Sequence, residues 1–312
     1  MSTSSAGTER PVGLVGLGAL GTIFAGHLAR ADGGVVAFDV DPARREAARA
    51  DGAAIAASCA EVAARCDVVV LSLPHPQAVG DALCGEVGLL AGARPDLLVI
   101  DTSTIDPDTA RAMATACAAA GASYLDTPLS GGEPLEGGVD GAAAASVTFM
   151  VGGDEAAYER ARPTLERLGR FAFHLGPAGA GSEVKLISNM CSGLYALVTA
   201  EAFATGAALG YAPERLVEVF AHTDAKSFFM TDYLIPRLLA DRLDPGFAVR
   251  LQLKDQRLFA SLARAVGVPA PLNDHAVAAY EDAVAAGDAE REVTIVVRRA
   301  IDAVATFADD ND

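Results

Sequence analysis

PVGLVGLGALGTIFAGHLAR, residues 11–30, contains the pattern from which the fold class can be predicted. Its first part, PVGLVGLG, is a short apolar run that ends in glycines, which is typical of a buried strand. The rest has helical periodicity, because four apolar side chains fall on one stripe: Leu20, Ile23, Phe24 and Leu28. A strand, a glycine turn and a helix in this order predict the first unit of an α/β domain.

The turn GLGALG has the glycine spacing of a dinucleotide-binding motif and stands between a predicted strand and a predicted helix. Gly16 would permit the tight turn, Gly18 would let the backbone approach a pyrophosphate, and Gly21 would let the helix pack closely on the strand. The N–H groups at the start of the helix would face the phosphates. The predicted cofactor-binding residues of this turn are Gly16, Leu17, Gly18, Ala19, Leu20 and Gly21.

The second predicted strand, GGVVAFDV, carries the acidic residue Asp39 near its end. The carboxylate of Asp39 can accept hydrogen bonds from the adenosine ribose hydroxyls and would repel a 2′-phosphate, so the predicted cofactor is NAD rather than NADP. The alternative is that the glycines serve only a turn and that Asp39 is a solvated strand end.

Strands and helices alternate along the first half of the chain, which predicts a parallel sheet covered by helices. Asp41-Pro42 and Asp106-Pro107 are each expected to open a helix, with Asp as the N-cap and Pro in the first turn. Residues 180–209 then read as one long helix, and most of the sequence that follows is also helical.

The predicted fold class is therefore α/β, with an N-terminal Rossmann-type doubly wound parallel sheet and a C-terminal all-α domain joined by a long helix between the domains. The predicted segments are a disordered tail at 1–10, an NAD-binding domain at 11–175, an all-α substrate and oligomerisation domain at 176–306, and a frayed tail at 307–312.

Composition narrows the classes of protein that the chain could be. It has 312 residues, of which 51% are hydrophobic, and a net charge of −17, so we expect a globular protein that binds neither nucleic acid nor an anionic membrane. The N-terminus lacks the apolar segment of a secretory signal, and the five cysteines are scattered, which together favour the cytoplasm. The five histidines show no metal-ligand spacing, so no metal is predicted.

Lysine is rare in this chain, because only Lys185, Lys226 and Lys254 stand among 24 basic residues. Lys185 shares a helix face with Asn189 and Ser192 inside an otherwise apolar helix. A polar stripe of this kind suits a cleft between two domains, where burial would favour the neutral amine that acid/base chemistry needs. The alternative is an exposed lysine that snorkels to water, and these residues alone do not decide between the two.

Four motifs in order make the chain resemble the β-hydroxyacid dehydrogenase family, which contains 3-hydroxyisobutyrate dehydrogenase and tartronate semialdehyde reductase. GLGALGTIFAGHL is similar to the cofactor motif of that family, and DTPLSGG, residues 126–132, is similar to its substrate motif. GAGSEVKLISN, residues 179–189, is similar to its catalytic motif, and LKDQRLFASLARAVGVPAPL to its C-terminal Lys-Asp motif. The resemblance extends from Val12 to about Asp302.

The resemblance implies a role for each matching residue. Lys185 would be the catalytic general acid/base, and Leu73 and Pro74 would line the cofactor cleft. Thr104 would lie by both nicotinamide and substrate, and Lys254 would approach cofactor or substrate, with Asp255 as its structural partner. The substrate-binding residues implied are Ser130, Gly131, Gly132, Thr104, Asn189 and Lys254. Taken alone, Ser130-Gly-Gly could be a mere turn and Lys254 a surface charge.

Two features depart from the family pattern, and because of them the sequence does not identify the substrate. Ala145 stands where family members usually carry Gly, and the segment EPLEGGVDGAAAA after Ser130-Gly-Gly is longer than usual. Lys185 is retained, whereas the related imine reductases replace it, which favours chemistry on an alcohol or aldehyde.

The function implied is NAD-dependent oxidation of a small 3-hydroxy acid of the 3-hydroxyisobutyrate type, or the reverse reaction. The alternatives are a tartronate or succinic semialdehyde reductase, a sugar-acid oxidative decarboxylase, and an NAD-binding protein without catalysis. The expected partner is a small carboxylic acid, and the resemblance implies a homodimer or homotetramer.

Overall fold

The structure, a computed structural model, describes residues 10–30, 33–131, 138–244 and 246–309. Residues 1–9 and 310–312, which belong to the two predicted tails, lie outside the described residues. The described chain divides into two compact units, one with residues up to Lys185 and the other with residues from Leu186 onward.

The first unit contains one sheet, in which the described strands are β1 Val12–Val15, β2 Val35–Phe38, β3 Ala54–Ile55, β4 Val68–Leu71, β5 Leu98–Asp101, β6 Ser123–Asp126, β7 Leu129–Ser130, β8 Thr148–Gly152 and β9 Phe171–Gly176. The helices between them are α1 Ala19–Ala29, α2 Pro42–Ala50, α3 Cys59–Arg65, α4 Pro76–Cys84, α5 Pro107–Ala119, α6 Gly138–Ala143 and α7 Glu155–Leu168.

The strand order is β3-β2-β1-β4-β5-β6-β8-β7, and β9 pairs with β8. Strands β1 to β6 pair in parallel, whereas β8 pairs antiparallel with both β6 and β7. Leu14 and Val15 are adjacent in β1 but pack into two different apolar clusters. Because successive side chains of a strand point to opposite faces, the sheet is covered on both faces. The predicted doubly wound fold is confirmed.

Helix capping follows the sequence pattern closely. Asp41 caps α2 by accepting the Ala43 N–H at 2.8 Å, and Asp106 caps α5 by accepting the Thr109 N–H at 2.8 Å. A proline fills the first position of both helices, where its missing N–H costs nothing. These caps determine where the chain leaves β2 and β5 and turns back over the sheet.

The long predicted helix is α8 Ala180–Ala208, and the described α-helices that follow are α9 Pro213–Phe220, α10 Ile235–Leu239, α11 Val249–Ala265, α12 Pro271–Ala283 and α13 Ile295–Asp309. Two π-helical segments, Phe229–Leu234 and Val284–Asp288, adjoin α10 and α12. Within the second unit they pack around an apolar cluster that includes Phe203, Ile235 and Tyr280. By length and composition α8 could cross a membrane, but this is weak support, because a core helix of a water-soluble protein passes the same test.

Candidate active site

The glycine turn after β1 is pressed against the end of β4. Gly16 has a φ of +96°, and a Cβ there would lie 2.2 Å from the Ser72 carbonyl oxygen and 3.0 Å from the Leu73 side chain. Any side chain at this position would therefore be strained and would clash with backbone. The predicted cofactor residues Gly16 and Leu73 are thus neighbours at the carboxyl end of the sheet.

The winding of the sheet reverses at this same point. The chain proceeds from β1 to β2 and β3 on one side and places β4, β5 and β6 on the other. In open α/β sheets, ligands bind outside the carboxyl ends of the strands where the order reverses. The end of the sheet beside Gly16 and Leu73, with Pro74 next in the chain, is therefore the candidate cofactor site.

The other two glycines of the turn differ in what surrounds them. A Cβ at Gly21 would lie 2.0 Å from the Gly16 carbonyl oxygen, so Gly21 is required for the turn to close against α1. A Cβ at Gly18 would meet nothing within 4 Å. Gly18 is the N-cap of α1, and among the described residues no side chain caps it. The space at Gly18 and the N-terminal N–H groups of α1 fit a pyrophosphate.

Asp39 is buried and joined to the glycine turn. Its Oδ2 accepts the Leu17 N–H at 2.7 Å, and its Oδ1 accepts the Asp41 N–H at 2.8 Å. Two arginines that the sequence pattern did not mark lie close by. The guanidinium of Arg44 is 3.6 Å from Asp39 Oδ2, and Arg45 donates to the Asp39 carbonyl at 2.6 Å.

A buried network connects the loops that follow β4 and β5. The Leu73 N–H donates to Ser103 Oγ at 2.9 Å, and the Ser103 N–H donates to Asp101 Oδ1 at 2.9 Å. The Tyr124 hydroxyl donates to Asp101 Oδ2 at 2.7 Å. Burial raises the pKa of Asp101 to about 6. This network fixes the loop that carries Thr104, the residue expected near the nicotinamide, and sequence reasoning missed it because no pattern marks Asp101 as a partner of Tyr124.

Part of the predicted substrate motif is described. Ser130 ends β7 and pairs with Thr148 of β8, and Gly131 follows half-buried. Gly132 lies outside the described residues, as does the first part of the long segment after it. Ala145, at the end of that segment, has a φ of +50°. This chain therefore has Ala, where family members usually carry Gly, at a position whose backbone is left-handed, a conformation that favours glycine.

The polar stripe predicted on α8 is largely buried. Lys185, Asn189 and Ser182 are buried, and Ser192 is half-buried. Lys185 and Asn189 are one turn apart on the same helix face. Lys185 is therefore not an exposed lysine that extends into water, since only 7% of it is exposed.

Asn189 is held by α11 within the second unit. Its side-chain amide donates to Asp255 Oδ2 at 2.6 Å, and Lys254 Nζ is 2.9 Å from Asp255 Oδ1. The helices approach closely because residue 193 is glycine: a Cβ there would lie 1.9 Å from the Gln256 Nε2 atom. The adjacent Lys-Asp pair thus fixes the orientation of the Asn189 amide, which spacing in the sequence did not reveal.

The fold and this site together define a nicotinamide-dependent dehydrogenase. The glycine turn, the switch point and the acidic end of β2 fit a dinucleotide, and α8 carries a buried lysine. Within the described ranges, no group of three or more His, Cys, Asp or Glu side chains could hold a metal ion.

Two protein-family models match the chain. One describes the NAD-binding domain of 6-phosphogluconate dehydrogenase and matches residues 11–176, and the other describes the NAD-binding region of NADP-dependent 3-hydroxyisobutyrate dehydrogenase and matches residues 179–300. A probable mitochondrial 3-hydroxyisobutyrate dehydrogenase of Dictyostelium discoideum is 34% identical over 95% of this chain and 91% of its own length. An NAD-dependent L-serine dehydrogenase of Pseudomonas aeruginosa is 34% identical over 92% of this chain and 96% of its own.

Among solved structures, a Mycobacterium tuberculosis 3-hydroxyisobutyrate dehydrogenase with L-serine has a TM-score of 0.83 and 34% identity, covering 93% of this chain and 99% of its own. The chain belongs to the β-hydroxyacid dehydrogenase family. It is therefore an enzyme, a hydroxyacid dehydrogenase that uses a nicotinamide cofactor, which confirms the family that the sequence predicted.

Proposed function

We propose that this enzyme oxidises a small 3-hydroxy acid of the 3-hydroxyisobutyrate type with NAD, and that Lys185 is its general acid/base. The observation that carries the proposal is the burial of Lys185, with only 7% exposed, on the same face of α8 as Asn189. A buried amine on an otherwise apolar helix is costly unless it has a chemical or structural role, so its retention supports this assignment.

In the proposed reaction, Lys185 Nζ accepts the proton of the substrate hydroxyl, and in the reverse direction it returns that proton to the oxygen. The ammonium that forms then stabilises negative charge on the same oxygen. Arginine would not serve, because its guanidinium stays protonated.

The cofactor, when bound, supplies the hydride acceptor. The residues proposed to hold it are Gly16, Leu17, Gly18, Ala19, Leu20, Gly21, Asp39, Leu73, Pro74, Thr104 and Lys254. The preference for NAD over NADP rests on Asp39, whose buried carboxylate is fixed by the Leu17 and Asp41 N–H groups. A rigid negative charge at the end of β2 disfavours a ribose 2′-phosphate.

The carboxylate of the substrate is proposed to bind at Ser130, Gly131 and Gly132, and Asn189 to orient the substrate. Support for Asn189 comes from its hydrogen bond to Asp255, since a side chain held at 2.6 Å is pre-organised for binding. We propose domains at residues 11–175 and 176–306, supported by family-model matches over residues 11–176 and 179–300.

The similar Mycobacterium tuberculosis enzyme was solved with L-serine, so serine is the second substrate candidate. A panel of 3-hydroxyisobutyrate, L-serine, glycerate and 6-phosphogluconate, each with NAD and with NADP, distinguishes the candidates by the absorbance of reduced cofactor. Each assay has Lys185→Ala as its background control. Fastest turnover of 6-phosphogluconate would favour an oxidative decarboxylase, and cofactor binding without turnover of any acid would indicate a silent NAD-binding protein.

The enzyme is proposed to form a homodimer or homotetramer and to be located in the cytoplasm. Exposed apolar side chains on the part of α8 in the second unit support self-association, because Ile187, Tyr195 and Val198 are each about half exposed. Sedimentation velocity at micromolar concentration measures the state directly, and a monomer would contradict the proposal.

A further inference from the structure

Helix α8, which carries Lys185, begins without the side chains that usually cap a helix. A capping box pairs a Ser or Thr at the N-cap with a Glu or Gln three residues later, and each side chain accepts the other's backbone N–H. In α8 these two positions hold Gly179 and Ser182. Gly179 has no side chain to offer, so the helix cannot form this box by itself.

One carboxylate from another element accepts both N–H groups. Asp126, the last residue of β6, accepts the Gly179 N–H on Oδ1 and the Ser182 N–H on Oδ2, each at 2.8 Å. Asp126 is buried, and its negative charge lies at the positive end of the dipole of a 29-residue helix. The geometry is that of a complete capping box built from a single side chain.

The backbone packs closely around this carboxylate, with no room for a side chain at two glycines. A Cβ at Gly181 would lie 2.3 Å from the Met150 carbonyl oxygen, and one at Gly152 would lie 2.5 Å from Asp126 Oδ1. The first turn of α8 therefore lies directly against β6 and β8. A shift of that turn would break the two hydrogen bonds of Asp126 rather than be absorbed by flexible side chains.

We propose that Asp126 is a positioning residue for Lys185: it caps α8 from the end of β6 and thereby fixes the site of proton transfer. Lys185 follows Ser182 by three residues, so both lie within the helix turns that Asp126 fixes. Ser130 of the proposed substrate turn follows Asp126 by four residues in the chain. The inference rests on the proposed role of Lys185.

The test compares Asp126→Asn with Asp154→Asn. Asp154 is the N-cap residue of α7 and accepts the Ala156 and Ala157 N–H groups on Oδ1 at 3.0 and 3.2 Å, so it also caps a helix, but not the helix of Lys185. Both variants are measured for melting temperature, NAD affinity, kcat, and the deuterium isotope effect on kcat with the substrate labelled at its carbinol carbon.

We expect both variants to melt earlier, but only Asp126→Asn to lose about tenfold to a hundredfold in kcat, because small displacements of a catalytic group have effects of this size. Its isotope effect should rise while its NAD affinity stays within about twofold of wild type. Asp126→Asn with wild-type kcat and isotope effect would overturn the proposal. Wild-type enzyme inactive on every acid would instead overturn the proposed function, so the two failures are distinguishable.

If Asp126→Asn does not fold, Arg111→Ala tests the same turn from its exposed side. The Arg111 guanidinium pairs with Glu183 and lies over Gly179, where a Cβ would be 3.0 Å from its Nε. A several-fold fall in kcat with a raised isotope effect would support the proposal. Wild-type values for both quantities would then overturn it.

Discussion

The carboxylate of Asp39 accepts the backbone N–H of Leu17 at 2.7 Å, so the acidic end of β2 is fixed to the glycine turn that follows β1. The second carboxylate oxygen accepts the Asp41 N–H at 2.8 Å. The charge that we assign to the ribose end of the cofactor is thus part of the turn expected to hold the pyrophosphate.

Replacing Asp39 by serine should shift cofactor preference toward NADP. The substitution removes the negative charge that disfavours a 2′-phosphate and leaves the exposed Arg44 and buried backbone in place. We expect the ratio of kcat/KM for NAD to that for NADP to fall about tenfold or more, which is about 1.4 kcal/mol. Asp41→Ser is the matched control, since serine also caps helices. An unchanged ratio in Asp39→Ser would remove Asp39 from the account of specificity.

Gly18→Ala should weaken NAD binding without destabilising the fold. A Cβ at Gly18 meets no protein atom within 4 Å, and the backbone φ of −70° suits alanine. The methyl group would instead occupy space that we assign to the pyrophosphate. Gly26→Ala, also in open space on α1, is the control. Titration of NAD against both variants should show loss of affinity in Gly18→Ala only, and equal affinity would contradict the assigned phosphate position.

Ala145→Gly should stabilise the protein. The φ of +50° at Ala145 costs an L-residue about 1 kcal/mol, which glycine does not incur. Urea unfolding should therefore show that the free energy of unfolding rises by about 1 kcal/mol, reduced by the larger conformational entropy that glycine loses on folding. Ala143→Gly, at the last residue of α6, is the control, and its free energy of unfolding should fall by at most roughly 0.5–1 kcal/mol. A loss in both variants would mean that the left-handed backbone at residue 145 is not strained.

Asp101 should make stability depend on pH between about 4 and 6. Burial raises the pKa of Asp101 from 3.8 to about 6, so the folded chain holds this proton more tightly than the unfolded chain. The resulting stabilisation of the folded chain is fully present below the pKa that Asp101 has in the unfolded chain. It is lost as pH rises through the pKa that Asp101 has in the folded chain, and it amounts to at most roughly 3 kcal/mol. Burial also raises the pKa of Asp126, which lies opposite Asp101 in register and acts in the same direction.

Asp101→Asn removes that titration while keeping nearly the same shape. Urea unfolding of the variant and the wild type from pH 4 to pH 7 should show that the free energy of unfolding of the variant rises relative to that of the wild type as pH rises. Asp51→Asn, at an exposed position, is the matched control. A difference between Asp101→Asn and wild type that stays constant across this range would show that Asp101 does not titrate there.

The sequence predicts the elements of the sheet well because buried parallel strands leave continuous apolar runs, as in VVVL of β4. It also predicts the caps at Asp41 and Asp106, which depend only on neighbouring residues. The antiparallel pairing of β8 with β6 and β7 was not predicted, because strand direction depends on long-range pairing that a local apolar pattern does not encode.

In the candidate site, too, residues in local motifs could be predicted from the sequence, whereas their long-range partners could not. Gly16, Asp39 and Lys185 stand in local motifs and could be found from the sequence. The partners that hold the site together, such as Asp126 for Ser182 and Asp255 for Asn189, are 56 and 66 residues apart in the chain. Long-range hydrogen bonds of this kind follow from the tertiary fold, and no spacing rule points to them.

The kcat of Lys185→Ala, measured together with NAD affinity on the same preparation, shows whether Lys185 is the general acid/base. Lys226→Ala, at an exposed lysine, is the matched control, and Lys185→Arg asks whether charge alone suffices. If Lys185 is the general acid/base, Lys185→Ala should lose about a hundredfold or more in kcat, bind NAD as wild type does, and not be rescued by arginine. Near-normal kcat in Lys185→Ala with NAD bound would contradict the account.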